Sequence, residues 1–151
     1  DNVQLLITGD GPDKPRLQSL AVSLGLSRYV KFTGYLRADF LSSYHKLSYM
    51  YLLPSLYDVC PTVVLEAMAS GKPVIVTSLG GQKELVVNGQ NGIIVPPADI
   101  ESLSQAILTL LSSEELASEM GKKGRRMVEE KFAWSKISNK ILQVYKSVLA
   151  S

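Results

Sequence analysis

Short apolar runs alternate with amphipathic stretches through the first two thirds of the chain, and the last third is amphipathic throughout. VQLLITG, residues 3–9, is continuously apolar and predicts a buried strand, stopped by the cluster Gly9, Gly11 and Pro12. Leu17, Leu20, Ala21 and Leu24 then recur at helical spacing until Gly25. YVKFTG predicts a second strand ending at Gly34, and a helix follows through Phe40, Leu41 and Tyr44. SYMYLLP is a strand closed by Pro54. A helix over about 61–70 ends at Gly71, with Pro61 at its first helical position, and KPVIVTS and GIIVPP are two further strands. From Asp99 onward the pattern is helical: first Leu103, Ile107, Leu110 and Leu111, then a helix around Met120 to Phe132, then a last one from Trp134 to Leu149.

Strand and helix in alternation, with runs as apolar as PVIV, predict an α/β fold. Its parallel, Rossmann-like sheet carries helices on both faces. Ligands of such sheets sit beyond the carboxyl ends of the strands, where the glycines and polar residues of this chain fall. The 151 residues fit a single domain, and 46 % hydrophobic with 20 % charged residues describes a compact fold and not a disordered segment. A formal charge of +2 gives no argument for nucleic acid as a partner. One cysteine and one histidine exclude an intrachain disulfide and a Cys/His zinc site. No apolar run reaches the roughly 20 residues that span a bilayer, and the first residues carry no signal-peptide pattern, so a cytoplasmic location is expected.

The densest chemistry lies in SLYDVCPTVVLEAMASGKPVIVTSLGG, residues 55–81. With Pro61 opening a helix, the amides of Thr62, Val63 and Val64 are expected to point toward the preceding strand end and to suit a phosphate. Asp58 or Ser55 capping that helix is the plainer alternative. Glu66 lies among Val63, Val64, Leu65, Ala67, Met68 and Ala69, so its carboxylate must find partners or reach a cleft; the adjacent hydroxyls of a ribose are one such partner. Cys60 has no histidine near it in sequence and reads as space-filling. His45 reads as a surface or satisfied histidine, Tyr49 and Tyr51 as core or cleft wall. The basic cluster Lys122, Lys123, Arg125 and Arg126 reads as a solvated helix face that could also touch phospholipid headgroups.

PS followed by LEAMASGKPVIVTSLGGQKE, preceded by LLITGDGP and VKFTGY and followed by NGIIVPP and KFAWSKI, resembles the C-terminal, nucleotide-sugar-binding domain of retaining GT-B glycosyltransferases of the group 1, or family-four, type. Several motifs in the right order make this specific, and it covers nearly the whole chain. The family carries paired glutamates at the spacing of Asp58 and Glu66. The resemblance implies that Glu66 binds the ribose hydroxyls and Asp58, one methylene shorter than the usual Glu, faces the donor sugar. As site residues both bind; they are not an acid and nucleophile pair. It implies that the amides of Thr62 and Val63 approach the diphosphate or sugar and that the Leu36 backbone meets the base. Gly9 and Gly11 would let the first loop run under the pocket, or simply end a strand, and Gly80 and Gly81 are read in the same two ways. Glu84 completes a Gly-Gly-x-x-Glu pattern and is expected to cap or pair within a short helix.

The implied reaction moves a sugar from a nucleoside diphosphate to an acceptor hydroxyl with retention, the leaving phosphate taking the acceptor proton. No metal or other cofactor is expected. Family members carry a strand and helix before the GDGP strand, with a diphosphate-clamping Arg and Lys, and an N-terminal domain for the glycan or lipid-linked acceptor. These are not found in the chain, which is therefore expected to be truncated, inactive as a transferase alone, and weakly self-associating through open strand edges. A non-catalytic nucleotide-binding or interaction module of the same fold is the alternative function, and peripheral contact with the inner face of a membrane is a further expectation.

Overall fold

The computed structural model describes residues 3–59 and 61–149, and Cys60 lies outside them. The chain forms two compact units, Asp1–Leu41 and Ser42–Ser151. In the first, strands β1 (Leu5–Thr8) and β2 (Val30–Gly34) pair in parallel, Leu5 opposite Val30 and Ile7 opposite Phe32, and are joined by helix α1 (Lys14–Ser23). Gly25 ends α1 in the left-handed region, φ +69°, where a side chain would be strained. The strand expected to be buried is not: Leu5 and Leu6 are 43 % and 40 % exposed. A two-stranded sheet crossed by one helix leaves apolar side chains uncovered, whatever their sequence pattern.

Helix α2 (Ala38–Leu47) spans the boundary and leads into the second unit, whose strands β3 (Tyr51–Leu53), β4 (Val74–Thr77) and β5 (Gly92–Val95) form one parallel sheet in the order β3-β4-β5. Tyr51 faces Val74, and Val74 faces Gly92. Among the described residues β1 pairs only with β2, and β3 only with β4.

The connections are helices: α3 (Thr62–Ala69), the short α4 (Gln82–Leu85), α5 (Ile100–Leu111), α6 (Glu114–Lys131) and α7 (Trp134–Leu149). Alternation along β4 sends Val74 and Val76 into a core with Val64, Ala67 and Met68 of α3, while Ile75 enters a second core with Ala106 and Leu110 of α5 and Met120 of α6. Helix α6 serves both cores, for Met127 and Val128 pack on the first. It starts six residues before the Met120 expected from hydrophobic spacing. It opens on Glu114 and Glu115, and the helix is fixed there by Ser113, whose hydroxyl accepts from the Leu116 amide at 3.2 Å. Asp99 caps α5 likewise, accepting from the Ser102 amide at 3.0 Å. Helix α7 has the expected bounds, yet none of its residues is buried; Trp134 is 83 % exposed. No described helix is long and apolar enough to cross a membrane.

Helix α6 approaches the α3–β4 turn closely through two glycines. A Cβ on Gly121 would stand 2.0 Å from the Gly71 carbonyl oxygen, whereas one on Gly124 would meet only the Met68 side chain at 3.4 Å. Backbone cannot yield as a methionine can. Gly121→Ala is therefore expected to destabilise the chain by about 1–3 kcal/mol or more. Gly124→Ala is expected to be neutral or to gain up to about 1 kcal/mol from helix propensity. Urea denaturation of the two variants beside the parent checks the contrast; equal midpoints would refute it.

Candidate functional site

The polar groups of the second unit gather at the carboxyl ends of β3 and β4. Helix α3 begins there, with Pro61 as N-cap residue (φ −76°, ψ 80°) and not at the first helical position as the sequence suggests. The φ of Pro61 suits a helix but its ψ of 80° does not, so helical geometry starts at Thr62. Pro61 offers no side-chain cap, and its carbonyl accepts from the Val64 amide at 3.0 Å. Val64 is thus not one of the open donors expected. Among the described residues the amides of Thr62 and Val63 have no acceptor, so two donors remain at the positive end of the helix.

The loop carrying Asp58 is held from the β4 side. Gly81 donates its amide to the Asp58 carbonyl at 3.0 Å. Cβ atoms on Gly80 and Gly81 would stand 2.0 Å from the Asp58 carbonyl oxygen and 2.1 Å from that of Val59, and Gly80 has φ +64°. The glycine pair, open in the sequence to two readings, is where two loop backbones touch. Asp58 is half-buried. Beneath it runs a polar chain that the sequence did not single out: the Thr77 hydroxyl donates to the Ser55 carbonyl, and the amide nitrogen of fully buried Gln82 donates to Thr77 Oγ1 and, at 3.1 Å, to the Thr77 carbonyl. Glu84 is exposed, its amide bonded to the Gly81 carbonyl at 3.1 Å.

Glu66 projects from α3 with its side chain 51 % exposed, and behind it lies a residue missed in sequence. His45 is neither on the surface nor satisfied: it is buried, and among the described residues its Nε2 has no hydrogen-bond partner. That atom faces Glu66 Oε2 at 3.9 Å, and the ring meets Tyr51 edge-on at 5.2 Å. Burial pushes the His45 imidazole below its ordinary range, with the Glu66 carboxylate opposing. Burial raises the Tyr51 hydroxyl, and Glu66 and Asp58 push it the same way. The polar spacing of α2 gave no sign of this, because His45 is hidden by what β3 and α3 bring to it. The other tyrosine, Tyr49, donates to the Leu110 carbonyl at 3.1 Å.

The structure therefore brings together Asp58, Pro61, Gly80 and Gly81, and separately Glu66, His45 and Tyr51. Gly9, Gly11 and Leu36 belong to the first unit. There Gly9 (φ +106°) donates to the Gly34 carbonyl at 2.8 Å, Gly11 has open space around it, and Leu36 is half-buried after β2. A cavity of ≈ 380 Å³, lined by Leu47, Ser48, Pro73 and Ala117, opens at the opposite, amino ends of β3 and β4 and contains none of these residues. Among the described residues no cluster of three or more His, Cys, Asp or Glu could hold a metal ion. On α6, Arg125 pairs with Glu129 at 2.8 Å and Lys123 with Glu119 at 3.9 Å, as a solvated helix face would.

Residues 1–127 match the family described as glycosyl transferases group 1. The alpha-D-kanosaminyltransferase of Streptomyces kanamyceticus is 30 % identical over 145 residues, covering 96 % of this chain and 38 % of that protein. Sucrose-phosphate synthase from Thermosynechococcus elongatus superposes with a TM-score of 0.88 at 32 % identity, over 97 % of this chain and 39 % of its own. HepE from Anabaena, solved in complex with UDP, gives a TM-score of 0.87 at 26 % identity, over 96 % and 41 % of the two chains. It has also been solved with UDP-glucose. The chain thus spans well under half the length of these three relatives. Its architecture is that of the GT-B C-terminal domain, as the sequence motifs implied.

The depressed imidazole gives a pH dependence of folding. Above the ordinary histidine pKa of 6.5, His45 is neutral in both folded and unfolded chain and contributes nothing. Below it the unfolded chain takes up a proton that the folded chain resists, so stability is lost as the pH falls toward the folded-state value. Denaturation midpoints are expected to drop between pH 7.5 and 5.5, more steeply in Glu66→Gln, which removes the opposing carboxylate, and to be flatter in His45→Phe. A His45→Phe profile parallel to the parent's would show that His45 does not carry the dependence.

Proposed function

The chain belongs to the group 1 glycosyl transferase family, and on that premise we propose that it is the nucleotide-sugar donor-binding domain of a retaining glycosyltransferase. One observation carries the reading: two amides without an acceptor among the described residues, those of Thr62 and Val63, stand at the start of α3 beyond a strand end, with a half-exposed carboxylate, Glu66, one turn further on. Amides at the positive end of a helix suit a diphosphate, and a carboxylate suits the paired hydroxyls of a ribose. Asp58, on its clamped loop, faces the sugar ring, and its shorter side chain reaches the hydroxyls from a shifted position or through water. Gly80 and Gly81 hold that loop.

In this role Asp58 and Glu66 bind and orient the donor and are not an acid and nucleophile. The amides accelerate transfer by stabilising the charge that develops on the departing diphosphate, with no divalent ion between them. The leaving phosphate takes the acceptor proton on the same face. The acceptor, a glycan or lipid-linked hydroxyl, is bound by another part of a longer enzyme, so the chain alone transfers nothing. The enzyme works in the cytoplasm, touching the inner face of a membrane where its acceptor is lipid-linked. The edges of β1 and β3 that no described strand shares favour weak self-association of the isolated chain.

Calorimetric titration of the chain with UDP-, GDP- and ADP-glucose tests the reading and identifies the base. Glu66→Ala is expected to weaken the binding donor at least about tenfold, since each bond to a charged group contributes roughly 1.5–3 kcal/mol. Chelator is expected to leave affinity as it was. A folded Glu66→Ala chain with parental affinity would remove the ribose assignment, and binding that required manganese would remove the amide assignment.

A further inference from the structure

His45 is 4 % exposed, and its Nε2 has no hydrogen-bond partner among the described residues. An orphaned polar atom in a packed interior destabilises the fold, so the atom it faces matters. That atom is Glu66 Oε2, at 3.9 Å and just beyond hydrogen-bond reach. Glu66 is half exposed on a flexible side chain, and a small rotation of its carboxylate closes the gap. From β3 the neighbour is the Tyr51 ring, on which Asp58 also acts electrostatically; from α3 the charged neighbour is Glu66; Lys46, next to His45 on α2, is exposed.

We infer that His45 is the positioning residue for Glu66: when a ribose covers the carboxylate, Oε2 turns onto the Nε2 hydrogen of His45, its other lone pairs take the ribose hydroxyls, and the imidazole gains a proton from solvent. This rests on the reading of Glu66 as the ribose ligand. In the ligand-free chain, water screens the carboxylate and burial keeps the imidazole neutral. A bound nucleotide expels that water, which strengthens the pull of the carboxylate on a protonated ring. The charged imidazole in turn holds the carboxylate in one rotamer, so donor affinity rises as the pH falls through this window and is insensitive to pH above it. His45 touches no substrate; it acts through Glu66.

His45 is the single histidine of the chain, so its imidazole resonance is unambiguous. Without ligand, NMR titration is expected to place the His45 pKa in Glu66→Gln below that in the parent, because the attracting charge is gone. With UDP-glucose, whose diphosphate has no group titrating near neutrality, calorimetry at pH 6.5 in buffers of different ionisation enthalpy is expected to show net proton uptake by the parent chain. His45→Phe is expected to weaken binding roughly tenfold at that pH and abolish the uptake. His45→Gln, which keeps a donor but cannot titrate, is expected to restore most of the affinity and none of the uptake. Uptake absent in the parent, or persisting in His45→Gln, overturns the inference while leaving Glu66 as a ligand. If Glu66→Gln binds UDP-glucose as the parent does, the ribose reading fails instead. If UDP-, ADP- and GDP-glucose all fail to bind, the ribose reading falls, and an identical His45 titration in the parent and Glu66→Gln then overturns the coupling as well.

Discussion

Burying Val74, Ile75 and Val76 on both faces of β4 requires a layer of helix on each side, and the second unit is built to provide it. Each fully buried side chain of this kind contributes about 1.5–3 kcal/mol, so leaving either face open would forfeit much of the stability of so small a unit. Helix α3 with the later turns of α6 covers one face, and α5 with the earlier turns of α6 covers the other. Because α6 must reach both cores, it passes hard against the α3–β4 turn, where only glycine fits at position 121. The ends of the strands inherit this rigidity. Thr77, the last residue of β4, ties Ser55 and Gln82 together, so the loops beyond β3 and β4 are fixed to each other by backbone and amide contacts. The start of α3 and the Asp58 loop thus sit on a framework whose geometry is set by hydrophobic burial.

Much of this was legible in the residues. A run as apolar as PVIV has no place except between two helical layers, and α7 could be bounded to the residue because its apolar positions recur at helical spacing from Trp134 to Leu149. What the pattern could not give is what depends on neighbours. Leu5 and Leu6 read as core because they are leucines in a strand, yet exposure is decided by what lies across the sheet. Pro61 read as the first helical residue because proline tolerates that position, and it is equally able to stand one residue earlier. The start of α6 lay two residues ahead of its first apolar position, Leu116, at Glu114 and Glu115 behind the Ser113 cap.

At the site, the acidic pair and the glycine pair stood out by residue type and spacing, whereas the groups that support them did not. Gln82 follows two glycines at the mouth of a short helix and looks like a surface residue; it is fully buried because Thr77 offers it an acceptor on the inside of the turn. His45 sits in a polar stretch of α2 and is hidden only once β3 and α3 have come together in space. Supporting polar residues of this sort leave a weak trace in sequence, since their partners are often backbone carbonyls that any residue can supply.

The placement of Trp134 has an experimental consequence. It is the single tryptophan of the chain, and it stands at the first residue of α7 in nearly full contact with water. Intrinsic fluorescence excited at the red edge therefore samples that helix end and says little about the strands or either core. An emission band already water-like in the folded state has little room to shift on unfolding, so melting followed by this signal would understate the cooperativity of the core. The same remoteness makes the indole a quiet reporter: a blue shift on adding another protein segment or a lipid surface would mark coverage of α7 itself, uncontaminated by changes elsewhere in the molecule.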